Sequence, residues 1–175
     1  MIRPGWFRAR AAEAFAVAAL LAPACGRPSD ELRIRELLQE TVALAENNDA
    51  AGIMEFFAPD YQDFEGRDAA GTRQLVTGYL DRYRNVVIHL LGARIGAVGA
   101  DRRVSVECEV SLSHGAAEVL RKLIRYTGEY YRFGIDLRES ERGEWRFTYA
   151  EWRSIGLADV FPESLAILKE LFPDL

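Results

Sequence analysis

Residues 104–113 constrain the fold more than any other segment. Val104, Val106, Cys108, Val110 and Leu112 alternate with Ser105, Glu107, Glu109, Ser111 and Ser113. Successive side chains of a strand point to opposite faces, so this pattern predicts a strand with one buried and one wet face. Such a strand belongs to an antiparallel sheet covered on one side only. Glu107 and Glu109 share the wet face, where Arg132 is a candidate cross-strand partner. Val86 to Ile95 is rich in branched residues, and Gly99-Ala100-Asp101 reads as the turn that joins it to the alternating strand. Tyr126 to Arg138 alternates again. Ser140-Glu141-Arg142-Gly143 then turns the chain, and Trp145, Phe147 and Tyr149 alternate with Arg146 and Thr148.

Helical signals come earlier in the chain. Ser29 is a good N-cap, and Asp30 and Glu31 suit the positive end of a helix dipole. Ile34, Leu37, Leu38, Thr41, Leu44 and Ala45 recur at three- and four-residue steps, which predicts a helix over about residues 30–47. Asn47-Asn48-Asp49 stops it. Ile53, Phe56 and Phe57 share one face of a short second helix that Pro59 ends. Tyr61 to Gly66 reads as a short strand or an extended loop. Thr72 opens a third helix to about residue 84, with Leu75, Val76, Tyr79, Leu80 and Tyr83 on one stripe. Residues 117–123 are ambiguous, and Pro162 to Phe172 suits a short terminal helix. Helices followed by long antiparallel strands make an α+β chain.

The run from Leu44 to Tyr61, with Asn48-Asp49 at its turn and Phe57-Ala58-Pro59-Asp60-Tyr61 at its exit, resembles the start of nuclear transport factor 2-like domains, also called SnoaL-like. The resemblance covers about residues 30–153. It implies a cone, in which N-terminal helices pack on a curved antiparallel sheet and leave a pocket at the wide end. That family includes isomerases, dehydratases, cyclases, transport adaptors and non-catalytic binders, so the resemblance does not select an activity.

The N-terminus has a different character. Arg3, Arg8 and Arg10 precede the apolar run Ala14 to Ala22, and Pro23-Ala24-Cys25-Gly26 follows. A basic region, a short apolar run and small residues describe a secretory signal, and the run is shorter than the roughly 20 residues a spanning helix needs. Leu21-Ala22-Pro23-Ala24-Cys25 resembles the lipobox of bacterial lipoproteins. The resemblance implies acylation of Cys25 and loss of residues 1–24. Gly26 stands where aspartate would imply retention in an inner membrane, which favours an outer membrane facing the periplasm. The expected organisation is a signal peptide over 1–24, a lipidated tether over 25–29 and one domain over 30–175. A signal peptide cut nearby without lipidation is the alternative.

Charge excludes several function classes. The full chain carries 22 basic and 27 acidic residues, a net charge of -5. Loss of residues 1–24 takes it to -7, since that segment holds three arginines and one glutamate. A nucleic-acid partner is not expected of an acidic chain. With two cysteines and two histidines, and no His-x-x-x-His spacing, neither a metal nor another cofactor is expected. A homodimer is compatible with the composition.

The candidate chemistry lies in a few residues. Asp63 follows the Pro59-Asp60-Tyr61 exit. In an apolar pocket its pKa would rise and it would move protons; in a solvated loop it would do nothing of the kind. His89, on the strand side it shares with Val87 and Leu91, either joins Asp63 as an acid–base couple or is a satisfied core histidine. Tyr61, Tyr79 and Tyr83 suit a pocket lining, an interface or a core. Cys108, on an apolar face, reads as an inert buried thiol. The favoured function is binding of a small apolar molecule or a partner protein by a membrane-anchored domain; the alternative is an isomerase or dehydratase using Asp63 with His89.

Export and acylation are checked together by mass. Intact-mass measurement of the membrane-extracted protein is expected to show a chain that starts at Cys25 and carries acyl mass there. Cys25→Ser should shift the protein to the soluble fraction. A soluble wild-type chain starting downstream of Cys25 would overturn this reading.

Overall fold

A computed structural model describes residues 28–83, 85–113 and 129–160. The signal segment, Cys25, His114, residues 117–123 and the helix expected over 162–172 lie outside them. Helix α1 runs Asp30–Glu46, α2 Ala50–Met54, α3 Ala69–Arg82 and α4 Leu157–Val160. The strands are β1 Phe57–Asp63, β2 Val87–Ile95, β3 Arg103–Ser113, β4 Glu129–Glu139 and β5 Trp145–Ile155. They form one sheet in the order β1-β5-β4-β3-β2.

Helices α1, α2 and α3 each begin where a side-chain oxygen takes over an orphan amide. Ser29 accepts from Leu32 N–H, Asp49 from Gly52 N–H and Asp68 from Gly71 N–H. The last of these starts α3 at Ala69, three residues before the expected Thr72, because the Asp68 cap is a stronger signal than the first apolar residue of the stripe. Helix α2 ends at Met54, well before Pro59. That proline sits inside β1, an edge strand, where a missing N–H leaves no ladder bond unmade.

The expected fold class holds, with one correction to the sheet. It has five strands and is mixed, since β1 pairs in parallel with β5 through Phe57↔Phe147 and Asp63↔Ala150. The other three pairings are antiparallel. Strand β3 has the register its alternation predicts: Val104, Val106, Cys108 and Val110 are buried, while Ser105 is exposed and Glu107 and Glu109 are half-buried. Arg132 reaches Glu109 at 2.6 Å on the outer face.

The inner face is continuous across strands. Val104 pairs with Leu137, Val106 with Ile135 and Cys108 with Phe133. Helix α1 lays Ile34, Leu37 and Leu38 onto this face, and Tyr61, Trp145 and Phe147 complete the cluster. Register shifts between Leu90 and Gly92 in β2, between Asp136 and Leu137 in the β4–β5 pair, and between Phe57 and Gln62 in β1 interrupt the ladders. Bulges of this kind bend strands and increase twist. At the β2 edge, Glu46 of α1 accepts from Ile88 N–H at 2.9 Å and so covers an otherwise open donor.

Leu137 has no exposed surface and lies at the centre of the inner face. Leu137→Ala is expected to lower the unfolding free energy by about 2–5 kcal/mol in urea denaturation, through lost transfer energy and the cavity left behind. A loss below about 1 kcal/mol would place Leu137 outside the core.

Candidate functional site

The bent sheet and the helices enclose an open cavity of about 410 Å³. Helix α3 forms one wall with Thr72, Leu75, Val76, Tyr79 and Leu80. The sheet forms the other with Tyr131, Phe133 and Ile135 of β4 and Phe147, Ala150 and Trp152 of β5. Thr41, Ala45 and Ile53 close it from α1 and α2, and Phe57 and Tyr61 from β1. Of the described residues of α3, only Thr72 and Leu80 are buried. Leu75 is 43% exposed although it belongs to the apolar stripe, because the stripe faces a void rather than packed side chains.

The polar atoms on this wall are few and mostly neutral hydroxyls. Thr41 Oγ1 donates back to Leu37 O at 2.8 Å, within its own helix. Tyr131 donates to Glu129 Oε2 at 2.9 Å. Thr72 is 4% exposed, its Oγ1 is sealed from solvent, and the Tyr61 hydroxyl is within its reach. The Tyr61 ring is buried against Phe57, with centroids 4.4 Å apart. Burial pushes the Tyr61 hydroxyl up to about 12, with the nearby Thr72 hydroxyl acting in the opposite sense. Burial also raises Tyr79, reinforced by the charge of Glu129. Tyr83 is not on the cavity wall; its ring packs on Tyr79, with centroids 4.6 Å apart.

Asp63 lies behind the wall, not on it. It is 3% exposed, and its oxygens are taken by the chain that follows. Oδ1 accepts from the amides of Glu65 and Arg67, and Oδ2 accepts from Arg67 Nε at 2.7 Å. Burial alone would raise this carboxyl. The amide and guanidinium of Arg67 and the amide of Glu65 outweigh it and hold the group below its ordinary 3.8. The direction is opposite to the one proton abstraction near neutral pH would need. Arg67 in turn lies over the Trp152 ring, 5.5 Å from its centroid, so this ion pair buttresses the narrow end of the cavity.

His89 is on the other side of the sheet. It pairs with Ser111, which pairs with Tyr130, whereas Ile88 and Leu90 pair with Leu112 and Val110 on the inner face. The expected convergence of His89 with Asp63 therefore does not occur. The apparent side shared by Val87, His89 and Leu91 is misleading because the bulge at Leu90–Gly92 breaks the alternation after His89. His89 Nε2, Ser111 Oγ and Ser113 Oγ are buried there without hydrogen-bond partners among the described residues. Cys108 is buried, and burial pushes its thiol up to about 12, which keeps it protonated.

Two features went unread in the sequence. Glu129 is exposed, pairs with Leu112 across the ladder, accepts from the Tyr131 hydroxyl and acts by its charge on Tyr79, both of which line the cavity. A patterned strand with Glu129 at its start gives no hint of this. The outer face carries a second, larger depression of about 740 Å³ around Gly134, bordered by Arg94, Glu107, Arg132, Glu151 and Arg153. A Cβ at Gly134 would come within 2.9 Å of Glu151 Oε1, so the glycine lets Glu151 lie flat across the sheet. Most of these charges are already paired, Arg94 with Glu107 and Arg132 with Glu109.

The Asp63 ion pair makes a stability prediction with a definite sign. The folded state holds this proton less tightly than the unfolded chain, so its contribution is present above the ordinary 3.8 and fades as pH falls through the lower folded value. Asp63→Asn should be less stable than wild type at pH 7, and the difference should shrink below about pH 4, as followed by thermal unfolding across pH. A difference that grows on acidification would refute the assignment.

No protein-family model matches the sequence, and no curated protein matches it significantly. Solved structures do resemble the fold. A protein from Novosphingobium aromaticivorans provisionally named scytalone dehydratase superposes with a TM-score of 0.58 at 16% identity, covering 72% of this chain and 84% of its own. A cystatin-like protein of unknown function from Nostoc punctiforme gives 0.58 at 19% identity, covering 73% and 92%. A nuclear transport factor 2-like protein of unknown function from Pseudomonas aeruginosa gives 0.57 at 14% identity, covering 71% and 99%. At these identities the likeness is one of architecture: the chain has the nuclear transport factor 2-like fold.

Proposed function

We propose that this chain is an exported lipoprotein, held by acylated Cys25 at an outer membrane and facing the periplasm, whose cone binds a small apolar molecule without transforming it. The observation that carries the binding reading is the 410 Å³ cavity, lined by carbon nearly everywhere and open at one end. Pockets of about 300–1,000 Å³ with apolar walls and a few placed polar groups are the usual form of a small-molecule site. The paired charges of the outer face make it a less apt binding surface than the cone.

The acid–base alternative needs an ionisable group that touches substrate. Asp63 is engaged by Arg67, His89 is across the sheet, and Glu129 is exposed to water at the rim. The anchoring part of the proposal rests on the sequence of residues 3–26. Four residues, 26–29, separate the acylation site at Cys25 from α1, so five chain steps join the two. They span at most about 18 Å when extended, so the domain would sit close to the lipid surface that supplies apolar molecules.

A neutral fluorescent naphthalene such as N-phenylnaphthylamine tests the cone. Binding to the purified full chain is expected with an emission increase. Tyr79→Ala should weaken it by about 1–3 kcal/mol through lost apolar contact, and Asp63→Asn should leave it nearly unchanged at pH 7. Unchanged binding in Tyr79→Ala would move the site away from the cone.

A further inference from the structure

Glu129 stands apart from the other carboxylates of the sheet. It is two residues from Tyr131 on β4 and pairs directly with Leu112 of β3. Residues two apart on a strand share a face, and directly paired residues have their Cβ atoms about 5 Å apart. Glu129 therefore lies on the concave face, beside Tyr131 and Leu112, which both line the cavity. It is exposed, so water reaches this end of the lining. Glu107, Glu109 and Glu139 each hold an arginine. Among the described residues Glu129 holds none; what it accepts is a neutral hydroxyl, that of Tyr131 at 2.9 Å.

Two more tyrosines stand near this charge. Tyr79 lines the same cavity from α3, and it feels Glu129 with no cation among the described residues to offset it. The Tyr79 and Tyr83 hydroxyls both act on that of Tyr131, which brings the three to one place. The Tyr83 ring packs on Tyr79 with centroids 4.6 Å apart. The face of an aromatic ring is negative, so rings and carboxylate favour the same thing, a positive charge. A hard metal ion takes about six oxygen ligands, and the described residues hold no metal-ligating group of three. An anion would meet the Glu129 charge. A carbon-substituted ammonium satisfies the carboxylate, the ring faces and the apolar cavity together.

We propose that the cone takes a lipophilic amine, with its apolar body in the cavity and its ammonium group held against the Tyr79 and Tyr131 rings beside the Glu129 carboxylate. The inference rests on the reading of the cone as the seat of an apolar body, and it assigns the end of the ligand that faces water. Because Glu129 is exposed, the ammonium keeps part of its hydration, and the cost of burying an ion is avoided. The same exposure lets salt screen the attraction. A tertiary or quaternary amine fits better than a primary one, whose compact ammonium is strongly hydrated.

Two isosteric probes separate charge from shape. Naphthyltrimethylammonium and tert-butylnaphthalene have the same outline and differ by one positive charge. Binding to the purified full chain is read by displacement of N-phenylnaphthylamine at low ionic strength. The cation is expected to bind about tenfold tighter, and added salt should shrink the difference. Glu129→Gln should remove most of that preference by weakening the cation alone; unchanged affinity for the neutral probe shows that the variant is folded and its cavity intact. Tyr131→Phe keeps the ring and should keep the preference, whereas Tyr131→Leu should reduce it. Glu40→Gln removes an exposed carboxylate of α1 outside the cavity lining and should change nothing. Equal affinity for the two probes would overturn the amine seat and leave the cone reading intact. So would a preference that survives Glu129→Gln, or one that falls as far in Glu40→Gln, which would assign it to the net charge of the chain. Failure of N-phenylnaphthylamine and both probes to bind would overturn the cone reading and the inference with it.

Discussion

The bend of the sheet is the constraint on which the rest depends. An unbent sheet would meet α1 and α3 along its whole inner face and leave no room between them. Here the ladders slip at Leu90–Gly92 and at Asp136–Leu137, and the inner face becomes concave. Helix α1 fills the part of that hollow over Val104, Val106, Ile135 and Leu137. Over Tyr131, Phe133 and Ala150 no described side chain fills it, so α3 overhangs a void, and its apolar stripe stays half-exposed. A soluble helix that leaves Leu75 and Tyr79 uncovered gives up burial energy it would otherwise gain. That unused apolar surface is the physical reason to look for a ligand.

The filled end is fastened by charge. Asp30 and Arg33 of α1 meet Arg102, at the β2–β3 turn, and Glu139, at the end of β4. Arg33 also donates to the Gly143 carbonyl in the β4–β5 turn, and Arg102 covers the Trp145 ring, 5.4 Å from its centroid. Arg102 is about two-fifths exposed, so solvent weakens each of its pairs, and the network matters for geometry more than for energy. It fixes where α1 starts relative to both hairpins. Because α1 begins only five residues after Cys25, the same contacts would set how an anchored domain stands on its membrane.

Elements with strong local signals were legible in the sequence. The β3 alternation, the Ser29 cap of α1 and the stripe of α3 each follow from a period that one face of packing enforces. Strand β1 was only half legible, since its proline reads as a helix stop and its partner β5 lies some 90 residues away; parallel pairing at an edge leaves no local trace. The bulge at Leu91 hid the true face of His89, because one extra residue reverses the inside–outside pattern. Tyr61 and Tyr79 could be placed near a pocket by their aromatic character. The fate of Asp63 could not be read, because it depends on two amides and a guanidinium brought round by the Gly66 turn, where φ is +79°.

The placement of charge around the cone separates recognition from proton transfer. A carboxylate that moves protons at neutral pH needs to be desolvated, unpaired and in contact with its substrate, so that its pKa rises. Asp63 meets the first condition and fails the other two. It is buried, but hydrogen bonds from the amides of Glu65 and Arg67 and from the Arg67 guanidinium hold it ionised, and it does not line the cavity. Glu129 fails the first, since water reaches it at the rim. Among the described residues, the titratable groups that line the void are tyrosine hydroxyls, with Tyr61 and Tyr131 both lifted to about 12 by burial. Hydroxyls of this kind can donate to or accept from a neutral oxygen, and among the described residues they offer no ready base, which is consistent with the proposal that the cone holds a ligand.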